Sequence, residues 1–160
     1  MVDSLSSCSP RKGGYGVRLF LSRELFLYVL DLEVERARRY QDFFCVLKLK
    51  LFPLPGQEEG KGLQKCHRSL TNWLREELRE SDLLGSLGDD HLAVLLPYAD
   101  LSVSRQVKSR LEDSLKYFGF QNDGYEVMID QICFPKDAAV TKDLVSKVTG
   151  IEDEKKQKEN

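Results

Sequence analysis

From Ser22 to Gln41 apolar residues recur three and four positions apart, with Leu25, Tyr28, Val29 and Leu32 beside Phe26, Leu30, Val34 and Ala37. That period predicts an amphipathic helix with a wide buried face and a basic far end at Arg36, Arg38 and Arg39. At Phe43 the period changes to two. Phe43, Cys45, Leu47, Leu49 and Leu51 share one face, and Phe44, Val46, Lys48, Lys50 and Phe52 the other, which predicts a central strand. Pro53, Pro55 and Gly56 end it, and the polar stretch to Gly62 reads as a loop.

A second helix is predicted from Leu63 to about Arg79, with Leu63, Cys66, Leu70, Trp73, Leu74 and Leu78 on one stripe and Arg68, Arg75, Glu76 and Glu80 toward water. Leu83 to Leu87 and Leu92 to Leu96 are short apolar runs around Gly88-Asp89-Asp90-His91, the composition of a tight β-hairpin closed by Pro97. A third stripe, Val103, Val107, Leu111, Leu115 and Phe118, predicts a helix ended by Gly119. Tyr125 to Phe134 reads as the last strand, and Thr141 to Val148 as a short closing helix. Strands alternating with helices around one antiparallel hairpin predict an α/β sandwich related to the split βαβ plan. No internal repeat is present.

The 160 residues allow one domain with short tails. Residues 1–16 read as a flexible lead-in without the apolar run of a signal peptide, 17–149 as the domain, and 150–160 as a charged disordered tail. Val17 to Leu30 is interrupted by Arg18, Arg23 and Glu24 and falls short of the roughly 20 apolar residues of a membrane span. With 24 Lys and Arg against 26 Asp and Glu, the formal charge is −2. That disfavours a protein that coats nucleic acid or anionic membrane, so an anionic partner needs a local basic cluster. Cys8, Cys45, Cys66 and Cys133 form no C-x-x-C pair; they read as reduced, and the compartment as cytoplasmic. Cys66 and His67 are adjacent but lack the spacing of a metal site.

The run Arg79-Glu80-Ser81-Asp82-Leu83-Leu84-Gly85-Ser86-Leu87-Gly88-Asp89-Asp90-His91-Leu92-Ala93-Val94-Leu95-Leu96-Pro97 resembles the centre of the GGDEF family, the diguanylate cyclases that join two GTP into cyclic di-GMP. The resemblance spans roughly residues 17–148 and implies a nucleotidyl cyclase-like sandwich, a mostly antiparallel sheet of about five strands covered by helices. No motif survives intact. In the family an Asp on the strand and the acidic third residue of the signature hold Mg²⁺, because hard cations on a triphosphate need carboxylate oxygen. The strand position aligns with Lys48, and Lys50 replaces the second Asp. Asp90 keeps the acidic place, which leads to the expectation of a Lys48–Asp90 pair where the metal would sit. Asp89 replaces the second signature glycine, His91 the Glu, and Leu92 the Phe. The guanine-binding Asn-Asp and Gly-His segment is replaced by Pro53-Leu54-Pro55-Gly56-Gln57-Glu58-Glu59-Gly60, and the Leu-Thr-Gly motif by Val17-Arg18-Leu19. The implied reading is a catalytically dead domain that needs no Mg²⁺ or other cofactor.

Many family members carry an Arg-x-x-Asp motif shortly before the signature that binds product as an inhibitory site. Arg79-Glu80-Ser81-Asp82 stands at that place, and Arg110, with Arg105 second, is the candidate for a further Arg on the following helix. A guanidinium fork can donate twice to guanine or reach a phosphate, and a carboxylate can accept from guanine N1 and N2. The same spacing recurs at Arg39 to Asp42 and Arg110 to Asp113, and Asp82 also suits a turn or capping role. The resemblance therefore implies a cyclic di-GMP receptor built on Arg79, Asp82 and Arg110 that signals to a protein partner, with homodimerisation compatible. Two alternatives stand beside it: a nucleotide-independent interaction module, docking through a helix face or Arg36 to Arg39, and a residual cyclase or GTP-binding domain in which Asp90 and another carboxylate recruit Mg²⁺.

Overall fold

The computed structural model describes residues 20–58 and 60–150. Val17-Arg18-Leu19, residues 1–16 and all of 150–160 except Gly150 lie outside them. The elements run β1 (Phe20–Leu21), α1 (Arg23–Arg39), β2 (Phe44–Pro53), α2 (Leu63–Glu77), β3 (Leu83–Gly88), β4 (His91–Pro97), α3 (Leu101–Leu115), a 3-10 turn (Phe120–Asp123), β5 (Tyr125–Phe134) and α4 (Thr141–Thr149). They build one five-stranded sheet in the order β1-β3-β4-β2-β5. Only β1 and β3 run parallel. The other neighbours are antiparallel. This is the mixed α/β sandwich with a mostly antiparallel sheet that the sequence predicts.

The two-residue period of β2 sorts its side chains onto opposite layers. Phe44 and Val46 join Phe26, Leu30, Leu144 and Val148 in the layer under α1 and α4. Cys45, Leu47, Leu49 and Leu51 join Leu70, Trp73, Leu74 and Leu111 in the layer under α2 and α3. Local signals fix the helix ends. Ser22 accepts from the Leu25 N–H at the start of α1, and Asp100 from the Val103 N–H at the start of α3, each satisfying a donor the helix cannot. Gly150, at φ +80, closes α4 in the left-handed conformation that glycine adopts without a Cβ penalty.

Three sequence readings need correction. Cys45 and Cys133 are directly opposed on β2 and β5 and form a disulfide, so these two thiols are not reduced. Cys66 is the buried free cysteine among the described residues, and burial pushes its thiol up from the ordinary range. Second, Arg75 on α2 is half-buried rather than turned to water. Third, the basic run at the end of α1 is largely engaged within the molecule. Arg36 is paired with Glu33 and Asp42, which raise its already high pKa, and Arg38 donates to the Ala139 carbonyl at 2.6 Å. Arg39, the last residue of the run, is exposed.

Candidate functional site

Two places in the fold gather the residues singled out by the sequence. The first is the β3–β4 turn. Gly88 pairs with His91 across it, Asp89 and Asp90 form its tip, and Leu87 is the extra residue of a bulge between Ser86 and Gly88. Leu92 is fully buried, so its apolar role is kept. Asp90 does not pair with Lys48 as expected. Its Oδ1 lies 2.8 Å from His91 Nδ1, because the adjacent ring on β4 reaches it first. Lys48 is 6% exposed, and its Nζ points to the C-terminal end of α4, 3.4 Å from the Lys147 carbonyl. There it satisfies a helix-end acceptor at the negative pole of the dipole. The Mg²⁺ that the family resemblance implies does not fit this arrangement. Its strand positions carry the ammonium groups of Lys48 and Lys50, the Asp90 carboxylate is occupied by His91, and a cation cannot ligate a cation.

Histidines flank this turn from both sides. Burial holds His91 below the ordinary imidazole value, with Asp90 partly offsetting it and Lys50 and Lys48 adding to it. His67 on α2 is lowered first by burial too, against the carbonyls of Gly88 and His91 and the charges of Asp89 and Asp90. A histidine whose folded pKa lies below the unfolded value near 6.5 favours the folded state above that pH and loses this contribution as pH falls through the folded value. Thermal unfolding between pH 8 and pH 5 is thus expected to show stability falling below about pH 6.5. His67→Gln should flatten the fall, and a melting temperature constant across that window in the wild type would contradict the burial argument.

The second place is the turn from α2 into β3. The Asp82 carboxylate, on a residue only 8% exposed, accepts from the Arg79 backbone N–H at 2.9 Å. The Asp82 N–H returns to the Arg79 carbonyl at 3.1 Å. Asp82 thus closes its own turn, one of the two roles its position allowed. The Arg79 side chain is exposed. Arg110 on α3 reaches across to donate to the Glu77 carbonyl at 3.1 Å, at the last residue of α2. Arg79, Asp82 and Arg110 are therefore brought to one end of α2, whereas among the described residues no hydrogen bond or ion pair ties exposed Arg105 to it. The signature turn lies at the far end of β3, so the two places are separate.

Sequence reasoning missed a third group. Phe20, His67, Arg68, Asn72, Arg75 and Asp89 line a groove of about 430 Å³ between β1, α2 and the β3–β4 turn. The signal for it was the recurrence of Arg68 and Arg75 two helical turns apart on one side of α2.

The architecture is that of the GGDEF domain, a diguanylate cyclase-type fold. It is similar to the crystal structure of a DGC protein from Thermotoga maritima (TM-score 0.69, 16% identity, 82% of this chain and 95% of that one). It is also similar to the GGDEF domain of PA1120 (YfiN or TpbB) from Pseudomonas aeruginosa (TM-score 0.63, 21% identity, 79% and 83%). A third is the GGDEF domain of DgcB from Caulobacter crescentus in complex with c-di-GMP (TM-score 0.55, 15% identity, 84% and 87%). No family model and no curated protein sequence matches the chain. Among the described residues no helix is long and apolar enough to cross a membrane, and no three His, Cys, Asp or Glu side chains group to hold a metal.

Proposed function

We propose that the protein is a GGDEF-like receptor for cyclic di-GMP that has lost synthesis and signals to a protein partner. The observation that carries this reading is the convergence of Arg79, Asp82 and Arg110 at the end of α2, held by the Arg110 to Glu77 hydrogen bond. The Arg79 and Arg110 guanidinium groups supply the kind of donor that a guanine or a phosphate needs, and Asp82, held to the Arg79 backbone N–H, supplies a carboxylate at the same turn. A solved neighbour of the same fold is bound to c-di-GMP, which supports the ligand class. Loss of synthesis rests on the lysines of β2, which stand where metal ligands are needed.

Calorimetry with cyclic di-GMP is expected to give saturable binding to the wild-type chain, weakened about tenfold to a hundredfold in Arg79→Ala. Absence of wild-type binding, or equal binding by both, overturns the receptor reading. Incubation with GTP and Mg²⁺ is expected to yield no cyclic di-GMP, and any turnover would restore the cyclase reading. The closed Asp82 turn favours a second reading, an interaction module on the same fold whose partner binding is indifferent to nucleotide. Adding cyclic di-GMP to a pull-down separates the two.

A further inference from the structure

The sheet ends in two strands of unequal length. β1 has 2 residues, whereas β5 has 10 and pairs only with β2, in unbroken register from Tyr125 to Phe134. The hydrogen bonds at its end show which backbone groups face outward. The Cys133 N–H donates to the Asp137 carboxylate at 2.7 Å, and the Cys133 carbonyl accepts from the Asp137 N–H at 2.7 Å. Cys133 is therefore turned away from β2, and in an antiparallel ladder every second residue shares that direction. The other side of the pair agrees. On β2 the Leu51 N–H bonds the Asp90 carbonyl on the β4 side, so Leu51 and its partner Val127 do not bond each other. Val127, Ile129 and Gln131 thus direct their N–H and carbonyl groups off the edge of the sheet, and among the described residues no hydrogen bond reaches them. Long edges are ordinarily cut short, bulged or given a proline. β5 shows none of these devices.

We infer that this edge receives an extended, basic segment of a protein partner, which adds a strand beside β5. Main-chain bonds to Val127, Ile129 and Gln131 hold such a segment, and the flanking side chains select it. On the α1 and α4 side of the sheet Glu126 and Asp130 are exposed, with Met128, 49% exposed, between them. A strand that complements them carries Lys or Arg, an apolar residue, and Lys or Arg again at alternate positions. A second copy of the chain fits badly. In an antiparallel pairing of two β5 edges centred on Met128 or on Asp130, Asp130 directly faces another carboxylate, and centred on Ile129 it stands diagonal to its own copy. β4 and β2 separate this edge from β3 and the Arg79 turn, so the inference stands without the cyclic di-GMP reading.

Fluorescence anisotropy tests it, with the full chain titrated into a labelled, amidated peptide Lys-Val-Leu-Val-Lys, which reads the same in either strand direction. Saturable binding is expected, and at least about tenfold weaker binding of the same peptide with Glu in place of Lys. Val127→Pro deletes an edge-facing N–H and no bond to β2, a place where a strand tolerates proline. It should weaken the basic peptide by about tenfold or more. Glu126→Lys combined with Asp130→Lys should exchange the preference, so that the acidic peptide binds better. Circular dichroism shows whether Val127→Pro is folded; if it is not, the charge-reversed variant, changed only at exposed positions, decides. No saturable wild-type binding of the basic peptide up to about 1 mM chain overturns the inference. So does an unchanged affinity in folded Val127→Pro, or a charge-reversed variant that still prefers the basic peptide. A wild-type dimer in sedimentation that Val127→Pro abolishes would assign the edge to a second copy instead. Cyclic di-GMP binding by Val127→Pro should match wild type, which keeps failure here separate from failure of the receptor reading.

Discussion

Gly85→Ala is expected to destabilise the domain by about 1–3 kcal/mol, the usual cost of forcing atoms into a packed core. A Cβ at this position would stand 2.5 Å from Cδ2, 2.8 Å from Cγ and 2.9 Å from Cβ of Phe26. No real side chain tolerates such contacts, so either the ring or a backbone must move. The ring has little room, because Phe26 is 1% exposed and belongs to the layer that includes Leu30, Leu21 and Val46. Nor does its backbone slide freely: the Phe26 N–H is held by the Ser22 carbonyl at 2.8 Å in the first turn of α1. Replacing a strand glycine by alanine ordinarily gains about 0.5–1 kcal/mol through lost freedom of the unfolded chain. A net loss therefore isolates the steric effect. Chemical denaturation of Gly85→Ala, Phe26→Leu and the double variant provides the check. Because the two sites touch, the double variant should lose less than its two single changes together. A Gly85→Ala protein as stable as wild type would show that α1 is not seated on β3 as described.

The same contact shows why some of this protein is legible in its sequence and some is not. The periods of α1 and β2 are local, so the helix expected over Ser22 to Gln41 and the strand over Phe43 to Phe52 appear within a few residues of their bounds. Gly85 reads as one small residue in an apolar run, and its reason is an aromatic ring far away in sequence. Cys45 and Cys133 are likewise 88 residues apart, and only the register of β2 on β5 opposes them. Alternation puts Lys48 on the strand face of Phe44 and Val46 without saying what covers it; the end of α4 that buries it is contributed by the other end of the chain. The position of Arg79-x-x-Asp82 before the hairpin was legible, and Arg110 bonds the Glu77 carbonyl at the same end of α2. What Asp82 does with its carboxylate was not, since spacing alone fits both a ligand contact and a turn.

That last ambiguity yields a sharper experiment. Asp82→Ala is expected to cost about 1–3 kcal/mol of stability without any ligand, because the Arg79 N–H loses its acceptor inside a turn that is nearly closed to water. For a domain of this size that is a fall in melting temperature of about 3–6 °C per kcal/mol. Asp82→Asn keeps an oxygen acceptor in the same place and should recover much of the loss. Arg79→Ala keeps the backbone N–H that Asp82 accepts, and Arg110→Ala releases the exposed Glu77 carbonyl to water, so Arg110→Ala should stay within about 0.5 kcal/mol of wild type, as surface changes usually do. Reduced cyclic di-GMP binding by Asp82→Ala alone would then report a loosened turn rather than a lost ligand contact. If the site is a receptor, Arg110→Ala binds cyclic di-GMP more weakly at undiminished stability, and Asp82→Asn, folded but without its negative charge, is weakened too. Should Asp82→Asn and Arg110→Ala both bind as wild type does, the Arg79 turn is a piece of architecture and the ligand reading of this end of α2 fails.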